Sequence, residues 1–341
     1  MKKLLETMYI LTPDSYAFLR NDNICISVGG TERASVPAAQ VDSIVFVGKN
    51  TVSTALLAFC GSRDITLTFL GARGEFCGRV CGPVSGNVLL RKRQYDSLND
   101  PDFVSVTVRN ILFGKIRNSK DVLMRYARTS SNPEHAEAIY QGAAKLSGMA
   151  KQLMETENVD SMRGIEGAAA NAYFSVFDYV LDGKNGFIFS VRSKRPPENE
   201  VNAVLSFVYT LLAHDCRSAL ETVGLDPAAG YLHTLRPGRS SLALDLMEEL
   251  RAPLCDRFVL ALIHKGQLTR KDFDLETGRV WLNEKGRRTV IAAWRERKRD
   301  EIMHPFFKEK IPIGLIPYTQ AMLFARVLRG DLDLYPPFVW R

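Results

Sequence analysis

The sequence predicts an α+β protein, with an N-terminal β-sandwich-like domain over 1–86 followed by a larger all-α domain over 87–341. Three observations carry this expectation. The chain before Gly82-Pro83 holds short runs rich in β-branched and aromatic residues, separated by turn-forming residues. From Asn87 onward apolar residues recur at helical spacing and strand-like alternation largely disappears. At 341 residues the chain can bury more than one hydrophobic core, so two domains are the natural partition.

The N-terminal strands are expected at 4–11, 16–19, 24–28, 34–37, 43–47, 65–70 and 75–80. Pro13-Asp14, Asn21-Asp22-Asn23 and Gly29-Gly30 supply turns, 71–74 reads as a hairpin loop, and one short helix is expected at 53–62. Helices are expected at 103–118, 122–129, 133–156, 162–181, 201–223, 242–250, 253–265 and 286–299. A small strand pair at 273–275 and 280–282 flanks Thr277-Gly278. The stretch 182–199 is a long polar loop rich in Lys, Arg and Pro, and loops of that length are usually functional or mobile.

Composition excludes several classes. With 46% hydrophobic and 24% charged residues the chain reads as an ordinary globular protein rather than a disordered or fibrous one. The longest apolar stretch, 203–213, is interrupted by Ser206 and Thr210 and is too short to span a bilayer. The opening Met1-Lys2-Lys3-Leu4-Leu5-Glu6 has neither an apolar signal core nor a cleavage site, so a cytoplasmic location without membrane is expected. Cys25, Cys60, Cys77, Cys81, Cys216 and Cys255 form no paired zinc-ligand set and read as free buried thiols.

The net charge of +7 says less than its distribution. Lys285, Arg287, Arg288, Arg295, Arg297, Lys298 and Arg299 crowd one segment; Arg91-Lys92-Arg93 and Arg192, Lys194, Arg195 form two more clusters. One such cluster is usually a solvated face. Three suit an anionic polymer, whose neutralised phosphates release counterions.

Three further elements carry chemistry. In Arg163-Gly164-Ile165-Glu166-Gly167-Ala168, capped by Asp160 or Ser161, the core stripe runs Ile165, Ala169, Tyr173, Val176 and Val180, with Glu166 beside it among small residues. In Gly224-Leu225-Asp226-Pro227 to His233, Gly and Pro stop a helix and build a turn that delivers His233, just before the polar loop Arg236-Pro237-Gly238-Arg239. In Ser241 to Arg251, Asp245 and Glu248 share a helix face, and Glu249 lies further round. Taken singly, each has a bland reading: a surface Glu, a structural His, carboxylates neutralised by Arg251 or Arg239. Together they offer O and N ligands suited to magnesium or manganese and, without a thiolate, argue against structural zinc.

These blocks resemble the three signature blocks of the CRISPR-associated protein one family. Further resemblance runs through Arg79 to Gly82 with Asn87, Leu90, Arg91, Gln94 and Tyr95, and through Arg195-Pro196-Pro197 with Asn202, Leu205, Ser206 and Tyr209. The similarity extends nearly end to end, and the opening Tyr9-Ile10 to Tyr16 resembles the type I-C branch. The resemblance implies a β-rich N-terminal domain for dimerisation and partner contact, an all-α catalytic domain, and a homodimer, two of which flank a dimer of CRISPR-associated protein two. It implies Glu166, His233 and Glu248 as ligands of Mg2+ or Mn2+, with Asp245 an auxiliary ligand or a group behind the ligands; Glu248 is preferred to Glu249 because it shares a face with Asp245. The implied activity is that of a metal-dependent DNA endonuclease and integrase. It would insert spacers into a CRISPR array by transesterification of DNA 3′-hydroxyl ends onto repeat phosphates.

Arg91, Arg93, Arg192, Arg195, Arg236, Arg239, Arg287 and Arg288 are the expected phosphate contacts on double-stranded prespacer and repeat DNA. His233 as a proton carrier is a weaker alternative to ligation. The rival class is a non-catalytic nucleic-acid-binding scaffold whose acidic residues pair with arginine. A hydrolase of small phosphate esters would leave the basic clusters unexplained, and paired carboxylates of the glycosidase kind do not account for the basic surface. The apolar stretch 335–341 suits docking on a partner or on the protein's own core, and the second is preferred.

Overall fold

Residues 6–71, 76–80, 82, 88–193 and 196–340 are described by the computed structural model. The chain forms two compact units, Met1–Ser85 with Arg287–Glu296, and Gly86–Gly286 with Arg297–Arg341.

The first unit carries strands β1 (Glu6–Ile10), β2 (Ser15–Arg20), β3 (Asn23–Val28), β4 (Thr31–Pro37), β5 (Val41–Val47) and β6 (Asn50–Val52), helix α1 (Thr54–Ser62), and strands β7 (Thr66–Leu70) and β8 (Phe76–Val80). Two four-stranded sheets result, in the orders β1-β5-β7-β8 and β4-β3-β2-β6. Both are mixed: β1 with β5, β5 with β7 and β2 with β6 run parallel. Ala17, Ile24 and Ile26 of one sheet and Ile10, Ile44, Phe46 and Leu67 of the other share a buried cluster with Leu56 and Cys60 of α1. This cluster makes the unit sandwich-like, because each sheet hides its apolar face against the other and the helix. Ser53, whose hydroxyl accepts from Leu56 N at 3.2 Å, starts α1. The segment Arg287–Glu296 belongs with this unit, which a single boundary at residue 86 does not provide for. Arg295 pairs with Glu6 at 2.5 Å and Arg288 donates to Thr12 Oγ1 at 3.4 Å.

The second unit is mainly helical: α2 (Val88–Ser97), α3 (Pro101–Thr129), α4 (Pro133–Met154), α5 (Val159–Phe174), α6 (Phe177–Leu181), α7 (Glu200–Val223), α8 (Ser241–Leu250) and α9 (Arg257–His264). The hairpin β9 (Phe273–Glu276) and β10 (Arg279–Leu282) precedes α10 (Glu284–Arg299), whose central residues belong to the first unit; β11 (Glu301–Met303), β12 (Lys310–Pro312) and α11 (Ile316–Arg329) follow. The β9–β10 pair lies where the Thr277-Gly278 turn predicted it. The β11–β12 pair and α11 went unpredicted, so this unit is not purely α.

The two helices expected at 103–118 and 122–129 are one, α3, because nothing in Ser119-Lys120-Asp121 breaks a helix. Helices α8 and α9 are likewise continuous through a π-helical turn, Arg251–Asp256, that contains Pro253. A proline inside a regular α-turn costs a hydrogen bond and clashes with the preceding turn; the wider π turn makes room for its ring. The expected core stripe of α5 and α6 is buried throughout: Ile165, Ala169, Tyr173, Val176 and Val180. The α5 cap differs, being Asn158, whose side chain accepts from Ser161 N at 2.9 Å. Cys25, Cys60, Cys216 and Cys255 are free and buried, whereas Cys77, on the edge strand β8, is exposed. Cys81 and Arg195 lie outside the described residues. No helix among the described residues is long and apolar enough to cross a membrane.

Candidate active site

Helix α7 ends at Gly224, which adopts the left-handed backbone at φ 86° that a Cβ would disfavour. The turn that follows is held from α2. Buried Gln94 donates from Nε2 to the carbonyls of Asp226 at 2.8 Å and Ala229 at 3.1 Å, and accepts from Asp226 N at 2.9 Å. Gly230 then lies against the start of α8. A Cβ there would come within 2.6 Å of the Ser241 carbonyl carbon and 2.7 Å of Asp245 Oδ2, so only glycine permits the approach.

This approach lets Asp245 organise the histidine. Its Oδ2 accepts from the backbone N–H groups of Tyr231 at 2.6 Å and Leu232 at 3.0 Å; its Oδ1 accepts from His233 N at 3.0 Å and pairs with His233 Nδ1 at 2.6 Å. A carboxylate only accepts, so His233 carries its proton on Nδ1 and leaves the Nε2 lone pair free. Four donors consume the acceptor capacity of Asp245, and it is fully buried. Of the two roles open to it in the sequence, the geometry favours orienting His233 from behind over direct ligation.

Glu248, one turn along the same face, is the hub. His233 Nε2 stands 3.7 Å from its Oε1, Arg251 Nη2 pairs with Oε1 at 2.9 Å, and Lys115 Nζ pairs with Oε2 at 2.7 Å. Lys115, from α3, also pairs with Glu166 from α5. Burial raises the carboxyl pKa of Glu248, but the charges of Arg251 and Lys115 foremost outweigh it and hold it down at about 2. Glu248 is therefore an anion at neutral pH despite being almost wholly buried. Arg163 donates from Nε to Leu232 O at 2.9 Å, tying α5 to the strand of chain that bears His233.

Glu166 and Glu248 thus both meet Lys115, and His233 Nε2 lies 3.7 Å from Glu248. Among the described residues no three His, Cys, Asp or Glu side chains lie close enough, as they stand, to hold a metal ion. The cation between the two carboxylates is the ammonium of Lys115. Glu249 is excluded from this cluster: it is buried facing away, accepting from Gln320, Tyr335 and Phe338. The site opens into a pocket lined by Ala169, Ala170, Phe174, Arg192, Tyr209 and Asp256. At its inner end Asp256 accepts hydroxyl protons from Tyr209 at 2.6 Å and Tyr173 at 3.0 Å, and burial pushes its carboxyl up to about 6.

The expected phosphate-contacting arginines separate. Arg192 is turned into the pocket, bonded to Asn202 Oδ1 at 2.8 Å and stacked over Tyr209. Arg236 is exposed on the loop after His233, and Arg239 is half-buried there. Arg93 is exposed and Arg91 half-buried on α2. Arg287 and Arg288 belong to the other unit. Lys115 was missed in the sequence, although a lysine on the apolar stripe Val108, Ile111, Leu112, Ser119 and Val122 of a long helix is a detectable anomaly.

A family model described as CRISPR associated protein Cas1 matches residues 8–296, a span that contains all three motifs. The chain belongs to the Cas1 family. It is 45% identical to a CRISPR-associated endonuclease Cas1 of Chlorobaculum tepidum and 45% identical to one of Rhodospirillum rubrum, each match covering 100% of both chains. The Cas1 fold is shared with a CAS1 protein from Thermotoga maritima, with a TM-score of 0.82 at 23% identity over 96% of this chain and 97% of that one. A casposase bound to integration product is similar at a TM-score of 0.81 and 18% identity, over 99% of this Cas1 chain and 95% of that one.

Proposed function

We propose that this Cas1 joins DNA 3′ ends to phosphates of a CRISPR repeat, inserting new spacers by transesterification. The observation that carries the proposal is the chain of contacts that links His233 to Glu248, and Glu248 to Glu166 through Lys115, with Arg251 alongside. Two carboxylates and an imidazole with its Nε2 free form a donor set that fits Mg2+ or Mn2+. When bound there, the ion would stabilise negative charge developing on the reacting phosphate and its entering and leaving oxygens.

The chain's own residues do the remainder. Asp245 holds His233 in the tautomer that presents Nε2. Arg251 keeps Glu248 ionised, and Lys115 supplies a positive charge for a phosphate oxygen. In the reaction a DNA 3′-hydroxyl gives up its proton as its oxygen bonds to a repeat phosphorus, the bond from that phosphorus to the neighbouring 3′-oxygen breaks, and that oxygen takes up a proton and leaves as a hydroxyl. No bond between protein and DNA is required.

Its partners on this reading are double-stranded prespacer and repeat DNA, a second copy of the chain, and a dimer of CRISPR-associated protein two. Structures similar in fold support the setting: a Cas6-RT-Cas1–Cas2 complex, of which this chain covers 36%, has a TM-score of 0.84 at 20% identity. A type I-C-like branch and a cytoplasmic location complete the reading. Arg91, Arg93, Arg236, Arg239, Arg287 and Arg288 serve the phosphate backbone and Arg192 the pocket beside the site; Arg195 keeps its place among the phosphate contacts on sequence grounds.

A second reading, a nucleic-acid-binding scaffold without chemistry, draws support from the pairing of Glu248 with Lys115 and Arg251. One experiment separates the two: incubation with its partner, a labelled prespacer and a repeat-bearing plasmid, with Mg2+ or Mn2+ and with chelator. Integration that requires the ion and is lost in a folded Glu248→Ala protein supports the integrase. DNA binding with no joining in either ion supports the scaffold.

A further inference from the structure

Glu249 follows Glu248 directly, and its burial is complete. A buried carboxylate facing away from the reaction needs its own donors, and they come from two places. Gln320 of α11 donates to its Oε1 at 2.8 Å. The segment 335–340 supplies the others: the Tyr335 hydroxyl to Oε1 at 2.6 Å and the Phe338 N–H to Oε2 at 3.0 Å. The same segment grips α3. Asn118 Nδ2 donates both to the Phe338 carbonyl and to the Glu249 carbonyl, each at 2.7 Å, and its Oδ1 accepts from Trp340 N at 2.9 Å.

Asn118 lies one helical turn from Lys115, and Glu249 is adjacent to Glu248. The segment therefore touches both helices that carry the Lys115–Glu248 pair, through Asn118 on α3 and Glu249 on α8. The packing leaves no slack. A Cβ on Gly114 of α3 would lie 2.9 Å from Pro337 Cβ and 3.0 Å from Glu249 Oε2. Phe338 is fully buried, and the Trp340 ring lies beneath the Arg257 guanidinium at 4.4 Å.

We propose that segment 335–340 is a latch that sets the register of α3 and α8, with Glu249, Asn118 and Tyr335 as positioning residues acting on Lys115 and Glu248. The latch is a claim about the metal-free protein; its consequence for ion binding rests on the reading of Glu248 as a ligand.

Tyr335→Phe tests it, because the variant keeps the buried ring and removes only the hydroxyl given to Glu249. Leu334→Ala, at an exposed neighbour, is the control. Hydrogen–deuterium exchange on the metal-free full chain gives the first readout. Exchange over 245–251 and 113–119 is expected to quicken at least about tenfold in Tyr335→Phe, since the hydroxyl's bond to Glu249 and the one it accepts from Gln320 are both lost, and to stay unchanged in Leu334→Ala. Mn2+ titration gives the second: the Kd rises about tenfold in Tyr335→Phe, while joining at saturating Mn2+ recovers. Exchange in the two segments indistinguishable from wild type overturns the latch. Quickened exchange with an unchanged Mn2+ Kd overturns the assignment of Tyr335 as a positioning residue for the ion. A wild-type protein that binds no Mn2+ sinks the metal reading instead, and leaves the exchange result to decide the latch.

Discussion

Glu248 combines deep burial with a carboxyl held down at about 2, which only a surplus of nearby cations can arrange. Lys115 is the strongest test of that arrangement. Replacing it with methionine keeps the stem and removes the charge, leaving Glu166 and Glu248 to repel each other across the site. Lys115→Met is expected to lose about 3 kcal/mol of stability without metal, the cost of breaking a buried pair, and to regain more of it on adding Mn2+ than wild type gains. Thermal denaturation with and without Mn2+ measures both. Asp256 gives a pH signature. Its carboxyl pKa is raised from 3.8 to about 6 in the fold, so its stabilising contribution is complete below pH 4 and fades as pH rises through 6. Asp256→Asn should remove that component, so the wild-type stability lead shrinks by about 2 kcal/mol between pH 4 and pH 7 in urea titrations. At this scale the sequence singled out Glu166, His233, Asp245 and Glu248 through the blocks that resemble the family's signatures, and the structure puts Asp245 on His233 and both glutamates on Lys115. The sequence did not reveal Lys115, Asn118 or Tyr335, whose roles arise only when distant helices pack together.

The turn from Gly224 to His233 and helix α8 work as one element. Everything Asp245 does for His233 depends on the bare Cα of Gly230. Gly230→Ala is expected to destabilise the protein by about 1–3 kcal/mol through overpacking and to abolish joining even below its melting temperature. Circular dichroism melts and a strand-joining assay at low temperature separate the two effects. Strand and helix runs were legible here because alternation and helical spacing differ so plainly. The break expected before Pro253 was misplaced for a physical reason: a proline usually ends a helix, but a π turn absorbs it and carries Arg251 onto Glu248. The hairpin β11–β12 escaped because its strands, Glu301–Met303 and Lys310–Pro312, are too short for alternation to register.

For the whole molecule, the net charge of +7 matters through its distribution over both units. Phosphate contacts should make DNA binding steeply dependent on salt. Replacing Arg287 and Arg288 together with alanine is expected to weaken binding and to reduce the logarithmic salt slope by about two, with little change in sequence preference. Fluorescence anisotropy across a salt series measures it; an unchanged slope removes that segment from the DNA surface. The α+β class was legible from the change in residue pattern near Gly82-Pro83. The grouping of Arg287–Glu296 with the N-terminal unit was not, since a helix of regular period carries no mark of the unit it belongs to.

The central claim is that Glu166, His233 and Glu248 grip one divalent ion. Mn2+ binding followed by electron paramagnetic resonance tests it most directly, on wild type and on folded Glu166→Gln, His233→Ala and Glu248→Gln proteins. The account predicts one tight site per chain in wild type, weakened at least about tenfold in each of the three variants. A site of undiminished affinity in all three, or no site in the wild type at all, would contradict it.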